Sequence, residues 1–250
     1  MTAEAATPTQ PEMGLFARVW GVITAPGATM AQVVASPRPV GILFICAVVI
    51  GLAAGLPQFT ESGRQAVLTQ QVETTERFLG RPVTAEEYTV MDRRSHYGAY
   101  GTMVGVLVAF PIFALLWTAL YWVAFNTVLG GTGSFKQVLA VNSHSYVPAA
   151  LGAVIGAPIQ LMQDKVTQGG PFNLGVLAPM LDPVSPLATL LSWTNVFTIW
   201  AFVITAIGLA ALYRRKALNI FIGLILAHGI LVYTILSVVG SMFGGGRAGR

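Results

Sequence analysis

The stretch AYGTMVGVLVAFPIFALLWTALYWVAFNTVL, residues 99–129, runs for 31 residues without an Asp, Glu, Lys or Arg. As a continuous helix it would be about 46 Å long, against about 30 Å of hydrocarbon in a bilayer. It therefore reads as a membrane span with length to spare. Pro111, near its middle, predicts a kink or tilt that takes up the excess.

Four further stretches reach the roughly 20 residues that a crossing needs: Pro39–Pro57, Val138–Met162, Leu187–Tyr213 and Ala217–Phe243. Their interiors also lack acidic and basic residues, His144 and His228 apart. Composition agrees with this reading. The 250 residues are 54% hydrophobic and only 10% charged, with a mean hydropathy of +0.69. Soluble domains carry about 25% charged residues, so too few charges are present to solvate a globular surface. The fold class expected is all-α: a polytopic five-helix membrane bundle over residues 13–243, between a disordered tail (1–12) and a Gly/Arg tail (244–250).

Outside the spans, GLFARVWGVITAPG places Leu15, Phe16, Val19, Trp20 and Ile23 at helical spacing, and Pro26-Gly27 ends the run. This predicts an amphipathic helix lying in the membrane interface, with packing on the bundle ends as the other reading. The loop from Glu61 to Tyr97 holds eleven charges of mixed sign. It predicts a solvated helix pair whose second member starts at a Thr84/Glu87 capping box. The segment Asp164–Pro186 is rich in Gly and Pro and reads as an interfacial or re-entrant loop. Residues 1–12 lack a basic region followed by an apolar core, so no cleavable signal peptide is expected.

Short loops weigh most in setting orientation, and Arg214-Arg215-Lys216 fills a three-residue link. The expected arrangement has the amino terminus cytoplasmic and the carboxyl terminus outside. The same triplet is a candidate contact for anionic lipid headgroups.

Three spans carry glycines four apart: Gly51/Gly55, Gly101/Gly105 and Gly152/Gly156. Such pairs let helix backbones approach closely, either inside the bundle or against another membrane protein or a second copy. The run VNSHSYVP (141–148) interrupts an apolar span. Spacing puts Asn142, Ser145, Ala149, Gly152 and Gly156 on one face. His144 falls elsewhere, about 9 Å into the span and within reach of water. Pro148 frees the carbonyl of residue 144 and predicts a kink in this span. In the fourth span Thr194, Thr198, Ala201, Thr205 and Gly208 form a similar stripe beside Asn195. A polar site of Asn142, Ser145, Asn195 and His228 within the membrane is a candidate, set against plain helix packing.

Several function classes lose support. No span holds a carboxylate for ion coupling. No GxSxG, HExxH or phosphate loop occurs. One cysteine, Cys46, excludes an intrachain disulfide and a thiolate metal cage. A net charge of +4 lacks the dense basic stripe that nucleic acid requires. No enzyme activity and no cofactor are expected; membrane lipids and a membrane-protein partner are. Passive transport or lipid scrambling along the polar faces of spans three and four is the alternative.

Three stretches together resemble a known family. RVWGVITAPGATMAQVVASPRPVGILFI (18–45) is similar to the amino-terminal hallmark of bacterial Yip1-domain proteins. GSFKQVLAVNSHSYVPAALGAVI (133–155) is similar to their third-span entry, and SPLATLLSWTNVFTIWAFVITAIGLAALYRRK (185–216) to their fourth span and its basic end. The resemblance implies five helices and a cytoplasmic amino terminus. It implies no enzymatic residues. Eukaryotic relatives bind Rab-type GTPases and shape membranes, but they carry a DLxGP-like motif that this sequence lacks.

Overall fold

The computed structural model describes residues 13–163, 170–181 and 185–243. The expected tails, 1–12 and 244–250, lie outside the described residues. The chain opens with two short helices, α1 (Leu15–Thr24) and α2 (Pro26–Ala35), then enters the first span, α3 (Pro39–Gly55). A solvated pair follows, α4 (Glu61–Leu79) and α5 (Ala85–Ser95). The second span is α6 (Gly98–Val123), which ends in a π-turn over Ala124–Val128. The third is divided into α7 (Phe135–Ser145) and α8 (Val147–Gln163). A short helix, α9 (Pro186–Trp193), precedes the last two spans, α10 (Val196–Tyr213) and α11 (Ala217–Phe243). Among the described residues, five helical stretches are long and apolar enough to cross a membrane. The protein is an all-α, multi-pass membrane protein.

Local chemistry fixes these boundaries. Pro26, Pro39 and Pro186 each open a helix, where a missing N–H costs nothing. Thr84 and Glu87 form the expected capping box at α5. Ser134 and Gln137 form a second one at α7. Arg214 ends α10 in the left-handed conformation, at φ 53°.

Among the described residues, the third span is the core of the bundle and α6 the least covered of the five. α3 lies along α6 on one side and α7–α8 on another, while α10 packs on α7, α8 and α11. The amphipathic helix forms as its spacing predicts, but it does not lie alone at the surface. α1 and α2 make an antiparallel hairpin: Arg18 Nη1 donates to the Ser36 carbonyl at 2.9 Å across its open end, and Gly21 lies against Thr29 near its tip. Val22, Met30 and Val33 are fully buried, in one cluster with Ile42, Cys46, Val147 and Ile204. α2 runs beside α10, where a methyl added at Gly208 would sit 3.2 Å from Met30 Sδ. The hairpin is thus embedded in one half of the bundle, and Phe16 and Trp20 remain on its outer surface, 83% and 68% exposed.

One expected boundary moves: the fourth span begins at Val196 rather than Leu187. The backbone leaves the helix at Thr194 and Asn195, where Asn195 pairs with Asn173 as an isolated bridge. Leu174 N–H donates to the Thr194 carbonyl at 2.8 Å, and Val196 N–H to that of Phe172 at 3.2 Å. Competing hydrogen bonds from a loop some twenty residues earlier therefore break the helix. Thr194 accordingly does not share a helical stripe with Thr198 and Thr205. The third span, where Pro148 predicts a kink, breaks at Tyr146, two residues before that proline.

Candidate functional site

Asn142, Ser143, His144 and Ser145 are all buried, in the last turns of α7. The Asn142 side chain reaches the second span, where Nδ2 donates to the Ala114 carbonyl at 2.9 Å and to Thr118 Oγ1 at 3.0 Å. Thr118 in turn donates to the Ala114 carbonyl at 2.7 Å. Ser145 turns back on its own helix and donates to the Val141 carbonyl at 2.8 Å. In hydrocarbon an unmet polar group is costly, and these bonds meet that cost for Asn142 and Ser145.

His144 is not near water, as its depth suggested; it is 1% exposed. Its Nδ1 lies 2.7 Å from the Ala140 carbonyl. A carbonyl only accepts, so that nitrogen carries the proton and Nε2 the lone pair. Nε2 and the Ser143 hydroxyl are buried without a hydrogen-bond partner among the described residues. The hairpin covers this side of α7. Arg18, expected on the flank of its helix, is buried as well and ties the hairpin together through Met13 and Ser36.

The candidate membrane site is not gathered into one place. Asn142 and Ser145 belong to the centre just described. Asn195 caps α10, its Oδ1 accepting from the Phe197 N–H at 2.7 Å. His228 lies with Thr194, Nε2 to Oγ1 at 3.4 Å, and edge-on to the Phe202 ring. Asn195 and His228 therefore meet the same short break between α9 and α10. Asn142 instead bonds to α6.

The three glycine pairs separate just as clearly. Gly51 and Gly55 seat α3 on α6: methyls there would lie 3.3 Å from the Met103 carbonyl oxygen and 2.9 Å from that of Ala99. Gly152 receives the Phe197 ring of α10, at 2.5 Å from an added methyl, and Gly156 receives Pro171 at 3.3 Å. The break at Tyr146 thus divides the single seam expected from Asn142 to Gly156. Among the described residues, nothing lies within 4 Å of a methyl added at Gly101 or Gly105. They lie on an exposed strip of α6 with Tyr97, Tyr100, Val104 and Val108.

At the basic end, Arg215 Nη2 donates to the Leu129 carbonyl at 2.8 Å, while Arg214 and Lys216 are exposed. Beside them the Tyr213 ring stacks on Phe125, centroids 4.8 Å apart. Gly131 and Gly133 make room for that ring. Asn126 holds the loop in place through paired bonds with Gly133, at 2.6 and 3.2 Å.

Sequence reasoning missed Thr118 and Arg18. A lone Thr in the middle of an apolar span, and an Arg within an otherwise apolar helix, were the signals available.

The chain matches the Yip1 domain over residues 20–239. It is also similar to Membrane protein YknW of Bacillus subtilis (strain 168), at 25% identity over 215 residues, 86% of each chain. No solved structure matches it. The match begins at Trp20, within α1, takes in α2 and the polar centre of the third span, and runs to residue 239 of α11, and the chain belongs to the Yip1 domain family.

Proposed function

We propose that this chain is a non-enzymatic organiser of the membrane. It sits in a bacterial inner membrane with its amino terminus cytoplasmic, and it holds a second membrane protein, or a second copy of itself, against α6. The observation that carries this reading is the uncovered Gly101/Gly105 pair. Two of the three glycine pairs are filled from within the chain, and the third stands open on the least covered span. Helices in lipid associate through small residues of this kind, which let backbones approach closely. Arg214 and Lys216 would contact anionic headgroups at the cytoplasmic surface, each at about 1 kcal/mol. Arg215 is already engaged with Leu129.

The test is native mass spectrometry of protein extracted gently from its own membrane, with and without the Gly101→Leu, Gly105→Leu double substitution. The wild type should carry a stoichiometric protein partner or a second copy. The double variant should lose it at unchanged melting temperature, because both positions face open space. A wild-type chain extracted alone, or a double variant that keeps its partner, would overturn the proposal.

A further inference from the structure

Between α1 and α2, on the side turned away from the bundle, lies a groove of about 690 Å³. Ala17, Trp20, Gly21, Thr24 and Ala28 line it, Gln32 stands towards its open end, and Met13 and Ser36 form its mouth. The floor is apolar in effect. Thr24 and Thr29 have spent their hydroxyls on the Trp20 and Ala25 carbonyls of their own helices, at 3.0 and 2.9 Å.

Its depth follows from its neighbours. Gln137, near the start of the third span, donates to the Val34 carbonyl at 3.2 Å, so the mouth is level with the end of the bundle that bears Lys136. Val22, near the closed end, belongs to a cluster that runs from Ile42 and Ala140 to Val147 and Val49, and α1 contacts α8, which begins at Val147. The ten residues of α2 rise about 15 Å. That is half of the roughly 30 Å of hydrocarbon, so the groove runs the depth of one leaflet and opens sideways into it.

We infer that this groove holds an acyl chain of a bilayer phospholipid, with the Gln32 amide meeting the polar linkage at its upper end. Depth and polarity together choose this occupant. A hydrocarbon chain fits lengthwise. The groove is apolar at depth and polar only near the mouth, the pattern of a single lipid read from tail to head. Among the described residues the Gln32 side chain bonds nothing, and its height one turn below Ser36 is where an ester carbonyl or headgroup donor would stand. Trp20 forms one wall, and an amphipathic aromatic suits that boundary.

The experiment uses the full chain reconstituted in phospholipid carrying a diazirine midway along one acyl chain. After photolysis and stepwise delipidation, native mass spectrometry counts the lipid retained per chain, and peptide mapping locates the label. Wild type should keep one phospholipid, with label concentrated between Ala17 and Gln32. Ala28→Trp, which fills the groove from an exposed position, should lose the retained lipid and the label there. Gln32→Leu should keep the label but release lipid earlier in the wash. Melting temperature and the partner content of the α6 test serve as controls for folding. Label spread evenly over exposed faces of α6 and α11, retention unchanged in Ala28→Trp, or a photoreactive residue at position 28 that captures protein instead (residues 1–12 or another chain) would each overturn the inference.

Discussion

Asn142 of the third span and Thr118 of the second share one acceptor, the Ala114 carbonyl, and are bonded to each other at 3.0 Å. This contact ties the second and third spans together in the bundle's interior, as the Gln58 Nε2 bond to Thr102 Oγ1, at 2.9 Å, ties the first to the second nearer one end. Replacing Asn142 by Leu should destabilise the protein by about 1–2 kcal/mol, since such bonds average about 0.6 kcal/mol and reach about 1.7. A double-mutant cycle with Thr118→Val, read by unfolding in mixed micelles, should return a coupling near the lower figure. A coupling of zero would mean that the bond does not persist in lipid.

Glycine substitutions should sort by partner rather than by motif. Gly55→Leu drives a side chain at the Ala99 carbonyl and Met103, and should cost about 1–3 kcal/mol or more, the range for overpacking. Gly101→Leu, in the same motif one span later, should leave the melting temperature unchanged. Thermal unfolding in detergent separates the two.

Tyr213 offers a test of opposite sign. Its ring is clasped by Phe125 and the Gly131–Gly133 turn, yet its hydroxyl is buried without a hydrogen-bond partner among the described residues. Removing an unpaired buried hydroxyl relieves a desolvation cost, so Tyr213→Phe should be neutral or stabilising. Gly131→Ala should cost about 1–3 kcal/mol, because the new methyl would sit 2.6 Å from the ring and 2.8 Å from the Phe125 carbonyl oxygen. Denaturation midpoints of the two variants should move in different directions.

The α4–α5 pair carries the protein's accessible pH dependence. Arg81 grips both Glu87 carboxylate oxygens, at 2.7 and 2.9 Å, and the Thr84 N–H donates to one of them. Together, the Arg81 bonds foremost, they hold the Glu87 pKa at about 2, down from an ordinary 4.5. Arg64 and then Gln65 lower Glu61 in the same way. A carboxylate whose folded pKa is depressed stabilises fully above its unfolded value and loses that contribution as pH falls towards the folded one. The cap of α5 should therefore be intact from neutral pH to about 4.5 and open between there and about 2. Hydrogen exchange at the Glu87 and Tyr88 amides should show this, and Glu87→Gln should flatten the profile.

What could be read from the sequence follows the range of the interactions involved. Spans one, two and five were visible because hydropathy is a property of consecutive residues, and Thr84/Glu87 because a capping box is complete within four. The Ser134/Gln137 box was equally local and could have been read by the same rule. The start of the fourth span was not available. Leu187–Trp193 is apolar enough to continue the helix, and only pairing with Phe172–Leu174 stops it. The candidate polar site failed to assemble for a related reason. Helical spacing fixes angles around one axis, but not which neighbour each face meets, so Asn142 found α6 while Asn195 was taken up in a cap. Which glycine pair stays open is likewise a matter of the whole packing arrangement.

The seating of the hairpin has a consequence for how the chain is made. Val22, Met30 and Val33 leave the ribosome before α3, yet the helix beside α2 is α10, nearly complete only at Tyr213. At about 5–20 residues per second, roughly 10–35 s pass between the two. For that interval the hairpin must wait on an unfinished bundle, made ahead of α3 yet among the last elements to find its place.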